Sequence, residues 1–289
     1  MSASFLVALL GDGIGPSLSP ALHMEEARRL GLRYDYRIVD LAGRADVDLA
    51  DELRRLEEAG FDAANVTHPY KQAVVEHATR LSPTVRRLGS ANLVLLGQDG
   101  RTAHNTDCSG FRTALGRFLA DGRPGRVAGR TVLQVGAGGA GLATAAALVD
   151  MGVDRIVVHD VDPSATRALL GRFGGTSGPA HGRLLDGGGS LHGWLPRADG
   201  VVHVTPVGMA AHPGVAFDVD LLRPDAWVAE VVYRPLETEL VRRARARGLA
   251  TLDGGAMAVA QAADSLRLIT GRDPDEPRMR AHFARLVAT

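Results

Sequence analysis

The chain has 289 residues, 45% of them hydrophobic, enough for one large core or two modest ones. Its 33 basic and 33 acidic residues cancel and aromatics are only 4%, so neither an anionic membrane nor a nucleic acid is implied as a partner. A single cysteine, Cys108, excludes an internal disulfide and any multi-cysteine metal centre, and it fits a reducing cytoplasm. The apolar start, Met1 to Leu10, lacks the basic residues and cleavage region of a signal peptide and reads as a buried strand over Phe5 to Leu10. No segment offers the roughly 20 apolar residues that cross a bilayer.

In chain order, a Gly/Pro/Ser turn leads into a helix from about Pro20 to Leu30, a strand over Tyr34 to Val39 and a helix over Asp48 to Ala59. Phe61 to Val66 reads as a short strand and Lys71 to Ala78 as a helix. Ala91 to Leu96 and Arg101 to His104 form a hairpin around Gln98-Asp99-Gly100. A helix follows from about Ser109 to Ala120, then a Gly/Pro/Arg linker over 121–130. Thr131 to Val135, Gly200 to Val204 and Trp227 to Val231 read as strands, and Gly171 to Ser190 as loop. Glu237 to Arg247, Ala256 to Thr270 and Arg278 to Val287 are helical. The alternation predicts an α/β protein.

Four segments carry chemistry. Gly136-Ala137-Gly138-Gly139-Ala140-Gly141 follows an apolar strand and opens an Ala-rich helix. The next apolar run ends in Asp160, about 20 residues on. Such a turn lets backbone N–H groups approach a pyrophosphate, and the carboxylate accepts from ribose hydroxyls. Asn65-Val66-Thr67-His68-Pro69-Tyr70-Lys71 is polar where a strand ends, the usual place for a ligand in an open α/β sheet. Asn105-Thr106-Asp107 precedes a helix, so Asp107 suits either a helix cap or a carboxylate partner for a lysine. Ser17-Leu18-Ser19-Pro20 offers two hydroxyls to a substrate carboxylate, or a cap by Ser19 with proline in the first turn.

In this order, with Thr205-Pro206-Val207-Gly208-Met209 and a GxxM…Q segment from Gly254 to Gln261, the motifs resemble the shikimate dehydrogenase family, including its quinate/shikimate branch. The resemblance spans nearly the whole chain. It implies an N-terminal α/β substrate-binding domain over 1–110, with C-terminal helices 241–289 returning to it. A Rossmann-type dinucleotide-binding domain would occupy 111–240, with a cleft between the two. It implies Lys71 and Asp107 as the catalytic pair and Ser17 and Ser19 as carboxylate ligands. Thr67, Asn92, Tyr233 and Gln261 would be contacts to ring hydroxyls. Gly136, Ala137, Gly138, Gly139, Ala140, Asp160, Thr205, Pro206, Val231 and Gly254 would form the cofactor site, with Thr205, Val231 and Gly254 lining its nicotinamide side.

The segment His159-Asp160-Val161-Asp162-Pro163 has no arginine for a 2′-phosphate and places a carboxylate there, which predicts NAD. The reaction implied is hydride transfer between the cofactor and the 3-position of a cyclic hydroxy acid, shikimate or quinate. No metal is expected, a homodimer is a candidate assembly, and the cytoplasm is the expected compartment. Leu93 stands where the family usually has a threonine, which leaves open a modified, for example amino-substituted, substrate. An inactive dinucleotide-sensing protein is the alternative of another class.

Overall fold

The computed structural model describes residues 3–44, 46–120, 130–173, 183–188 and 190–288. The predicted linker over 121–129 and the centre of the glycine-rich stretch, 174–182, lie outside the described residues. The chain divides into two compact units, Met1–Gly110 with Val259–Thr289, and Phe111–Ala258.

The first unit runs β1 (Ser4–Gly11), α1 (Ser19–Arg29), β2 (Arg33–Asp40), α2 (Leu49–Glu58) and β3 (Ala63–Val66). After a 3₁₀ turn at Ala73–His77 come β4 (Arg80–Leu81), α3 (Pro83–Leu88), β5 (Leu93–Gly97), β6 (Gly100–His104) and the start of α4 (Thr106–Ala120). The strands form one sheet in the order β2-β1-β3-β5-β6-β4. β1 is parallel to both of its neighbours, while β3, β5 and β6 pair antiparallel. Val7 to Leu10 are buried, as an apolar run in a strand covered on both faces should be. α2 shows how local sequence makes an element: the Asp48 side chain accepts from Ala50 and Asp51 N–H, and Leu49, Leu53 and Leu56 form its buried stripe.

The predicted helix over Lys71 to Ala78 is only the 3₁₀ turn, because the chain leaves it to pair β4 with β6. α3 was not predicted. Ser82 accepts from Val85 N–H at its start, Pro83 opens it, and Gly89 closes it with φ +58°. α4 begins at Thr106, three residues before the predicted start, so Asp107 lies inside its first turn.

The second unit contains β7 (Thr131–Val135), α5 (Gly139–Asp150), β8 (Arg155–His159), α6 (Pro163–Phe173), β9 (Arg183–Asp186), β10 (Gly200–His203), β11 (Trp227–Glu230), α7 (Glu239–Ala246) and β12 (Ala250–Leu252). Its sheet is parallel throughout, in the order β12-β11-β10-β7-β8-β9. This is the doubly wound dinucleotide-binding order, which reverses at β7. β9 falls in the stretch predicted as loop. The return to the first unit comes later than position 241: β12 pairs with β11, which keeps β12 and the α7 before it in the second unit. α8 (Gly254–Thr270) belongs to the first unit from Val259 on, as does α9 (Glu276–Val287). Among the described residues no helix is long and apolar enough to cross a membrane.

Candidate active site

In the first unit, β1 and β3 run side by side and release their loops at the same edge. Asp12 N–H donates to the His68 carbonyl at 3.0 Å, joining the loop before Ser17 to the loop before Lys71. The first of these loops hangs on Asp40, at the end of β2. Its carboxylate accepts from the N–H groups of Gly13 (2.9 Å), Ile14 (3.0 Å), Gly15 (3.2 Å) and Ala42 (3.0 Å). The Ala42 N–H, with those of Gly13, Gly15 and Ile14, holds the Asp40 carboxyl below its ordinary value. Ser17 Oγ accepts from Ser19 N–H at 3.3 Å, and no side chain caps α1, so the capping role open to Ser19 is not used.

The second loop places Lys71 Nζ 2.7 Å from Asp107 Oδ2, with side chains 19% and 8% exposed. The other carboxylate oxygen accepts from Asn92 Nδ2 at 3.0 Å. Asp107 is not the cap of α4. That bond comes from Asn105, whose Oδ1 accepts from Cys108 N–H at 3.1 Å. A nearly buried ion pair contributes little to folding once its desolvation is counted, and fixes geometry instead.

Asn92, expected as a ring contact, also makes a set of bonds within the protein. Its Nδ2 donates to Thr106 Oγ1 (2.9 Å) as well as to Asp107, and its Oδ1 accepts from Thr106 N–H (2.7 Å). Both of its hydrogens are committed to bracing Asp107 and the start of α4. The brace continues inward: Thr106 Oγ1 meets Ser265 Oγ of α8 at 3.0 Å, Ser265 accepts from Asn65 Nδ2, and Asn65 accepts from Tyr36 OH at 2.9 Å. Leu93 is fully buried in a cluster with Val7, Leu9 and Tyr36, and pairs with Asn65 across β3 and β5. Gln261, on α8, passes so close to α4 that a Cβ at Gly110 would lie 2.7 Å from its backbone nitrogen.

In the second unit, Gly136 turns the chain at φ +118°, and a Cβ there would lie 2.6 Å from the Val204 carbonyl and 3.1 Å from Thr205 Cγ2. The turn therefore needs glycine and stands against Thr205. Gln134, buried, ties it down, donating to the Gly136 and Gly141 carbonyls at 2.9 Å each and accepting from Thr144 Oγ1. α5 begins at Gly139 with no side-chain cap, and the space over Gly138 is open. Open space above uncapped helix N–H groups fits the pyrophosphate of a dinucleotide. Asp160 follows β8 and accepts from Ala137 N–H at 2.7 Å and Asp162 N–H at 2.9 Å, which sets its carboxylate beside the turn. Gly254 starts α8 against the Val231 and Val232 carbonyls, while Tyr233 is half-buried after β11, in this unit rather than the first.

Residues 9–94 match the family model described as "Shikimate dehydrogenase substrate binding domain". Over 292 residues the chain is 50% identical to a shikimate dehydrogenase (NADP(+)) of Streptomyces avermitilis, covering 99% of this chain and 97% of that one. The chain belongs to the shikimate dehydrogenase family. Within that family it is 44% identical over 289 residues to a quinate/shikimate dehydrogenase (NAD(+)) of Corynebacterium efficiens, covering 98% and 99% of the two chains. It is also similar to the structure of quinate dehydrogenase from Corynebacterium glutamicum in complex with NAD, with a TM-score of 0.88, 42% identity, and 98% and 100% of the two chains covered. The protein is thus an oxidoreductase that uses a nicotinamide dinucleotide. Shikimate dehydrogenase relatives named for either dinucleotide are comparably similar to it, so the choice of cofactor rests on local chemistry.

Proposed function

We propose that the protein interconverts shikimate and 3-dehydroshikimate, or quinate and 3-dehydroquinate, with NAD as its preferred cofactor. The observation that carries the reaction is the Lys71–Asp107 pair at 2.7 Å, its carboxylate held from the far side by Asn92. The nicotinamide, when bound, supplies the hydride chemistry. Lys71 takes the hydroxyl proton on alcohol oxidation and returns one on carbonyl reduction. Asp107 orients the ammonium and keeps its charge compensated. Ser17, on the loop hung from Asp40, and Ser19, at the start of α1, receive the substrate carboxylate, and Thr67 and Gln261 contact ring hydroxyls.

Asp160 supports the choice of NAD. Its carboxylate is fixed at the glycine turn, where it can accept from ribose hydroxyls and would repel a 2′-phosphate. The deciding experiment is a set of initial rates with shikimate and quinate, each with NAD and with NADP. Turnover of either acid with NAD at least tenfold more efficient than with NADP is the expected result. Turnover of neither acid ends the proposal.

A further inference from the structure

The second unit holds a buried acid–base cluster that the reaction above does not use. His203 ends β10 with its side chain 1% exposed, and Glu230 ends β11 with its side chain fully buried. Nδ1 of His203 lies 2.9 and 3.0 Å from the two Glu230 oxygens. Glu230 also accepts from Val232 N–H at 2.9 Å and Thr238 Oγ1 at 3.1 Å. On the other side of the ring, Nε2 meets Thr205 Oγ1 at 2.5 Å, and Thr205 Oγ1 accepts from Val207 N–H at 3.2 Å. The Phe217 ring closes the cluster edge-on to His203.

With the imidazole neutral, these bonds fix where each hydrogen lies. A carboxylate gathering N–H and O–H donors is an acceptor, so the ring hydrogen sits on Nδ1. Nε2 then presents a lone pair, and the Thr205 hydroxyl gives its hydrogen inward to it. With Val207 N–H on one lone pair, Thr205 has only its remaining lone pair to offer outward. Thr205 is half-buried, and its methyl stands 3.1 Å from where a Gly136 Cβ would be, at the dinucleotide turn.

We infer that the buried His203–Glu230 pair is a positioning device that makes Thr205 a one-way acceptor for the amide N–H of the bound nicotinamide carboxamide. The inference rests on the reading of Thr205 as a residue on the nicotinamide side of the cofactor site. A fixed acceptor orients the ring because the carboxamide has one donor end and one acceptor end. A freely rotating threonine would serve either end.

Glu230→Gln tests the direction of the clamp. The amide replaces one of the two acceptors facing Nδ1 by an N–H donor and removes the charge, which lets the ring hydrogen move to Nε2 and the Thr205 hydrogen turn outward. The readout is calorimetric affinity for NAD against ADP-ribose, which lacks the nicotinamide. If the unmutated protein takes NADP, the 2′-phosphorylated pair replaces them. Glu230→Gln and Thr205→Val should each weaken the full dinucleotide by about three- to tenfold, the scale of one neutral hydrogen bond, and leave ADP-ribose affinity unchanged. The double variant should be no weaker than Thr205→Val, since both act through one hydroxyl. Equal losses for ADP-ribose, or additive losses in the double variant, would mean the pair serves only the fold. An unmutated protein that binds NAD no tighter than ADP-ribose would instead remove the nicotinamide-side reading of Thr205. A second measurement reads the unmutated protein itself, with one variant used only for assignment. Nitrogen-detected NMR of the His203 ring, assigned by its loss in His203→Gln, should show hydrogen on Nδ1 and none on Nε2, and any other pattern overturns the inference.

Discussion

Lys71, on the loop after β3, and Asp107, in the first turn of α4, meet at 2.7 Å, and Asn92 holds the carboxylate from its other side. A proton carrier so held should show its loss in turnover. Lys71→Ala is expected to lower kcat by roughly a hundredfold or more, the scale of a positioned acid–base group, with a smaller effect on KM. Asp107→Asn should be comparably severe. Because Asn92 spends both its hydrogens on Thr106 and Asp107, Asn92→Ala should lower kcat more than it raises KM. Steady-state kinetics on folded variants decide this, and a pure KM effect would return Asn92 to the ring hydroxyls.

The serine loop depends on Asp40, a residue outside the motifs. Ser17→Ala and Ser19→Ala should each raise KM for the acid substrate, by an amount corresponding to about 1.5–3 kcal/mol for a hydrogen bond to a charged group, without moving cofactor affinity. Asp40→Asn should raise the same KM severalfold, since one amide cannot accept from four N–H groups. The folded carboxyl titrates below its ordinary value of 3.8, so its hold is complete above that pH and is lost as pH falls through the lowered value. Hydrogen-exchange protection at Gly13, Ile14 and Gly15, relative to the intrinsic rate at each pH, should therefore fall on acidification below about pH 4. In Asp40→Asn it should be low already at neutral pH. Unchanged exchange in the variant would show that the loop is held by something else.

His23 gives the fold an acid sensitivity of the opposite origin. It is buried against Tyr34 and Tyr36, with ring centroids at 6.1 and 5.0 Å. Burial pushes its imidazole from 6.5 down to about 3. Between those values the unfolded chain binds a proton that the folded chain refuses, so stability falls as pH drops from about 6.5 toward 3. His23→Phe should flatten that part of the profile. Urea unfolding from pH 7 to 5 measures it, and equal slopes in the two proteins would exclude His23 as the source.

The contiguous parts of the site were legible in the sequence. The glycine turn, the Thr67–Lys71 loop and Asp107 lie in short runs whose residue types state their chemistry. The braces were not legible. Ser265 reaches Asn65 across 200 positions and Thr106 across 159, and a lone serine in an Ala-rich helix carries no signal of either contact. Gln134 and the His203–Glu230 pair are polar residues in apolar strands, visible as anomalies but not as partners. The late return of the chain was hidden because β12 is three half-buried residues with no periodicity to read.

In the proposed reading cofactor choice turns on one carboxylate, and the structure says how to remove it cleanly. Asp160 has two duties: Oδ2 accepts from Ala137 N–H and Oδ1 from Asp162 N–H, so truncation to alanine would also loosen the glycine turn. Asp160→Asn keeps an acceptor for Ala137 and removes the charge. It should lower the preference for NAD over NADP by about tenfold, or about 1.4 kcal/mol, mainly by improving NADP. Val161 beside it is 96% exposed and packs on nothing that a longer side chain would disturb. Asp162 is occupied locally, accepting from Ser164 N–H at 2.8 Å at the start of α6. Asp160→Asn with Val161→Arg should therefore go further than Asp160→Asn alone, since the guanidinium supplies the bidentate partner a 2′-phosphate requires. The measurement is kcat/KM for both dinucleotides in the unmutated, single and double variants. Equal efficiency with NADP before any substitution would overturn the role given to Asp160 and leave the fold and the Lys71–Asp107 chemistry standing.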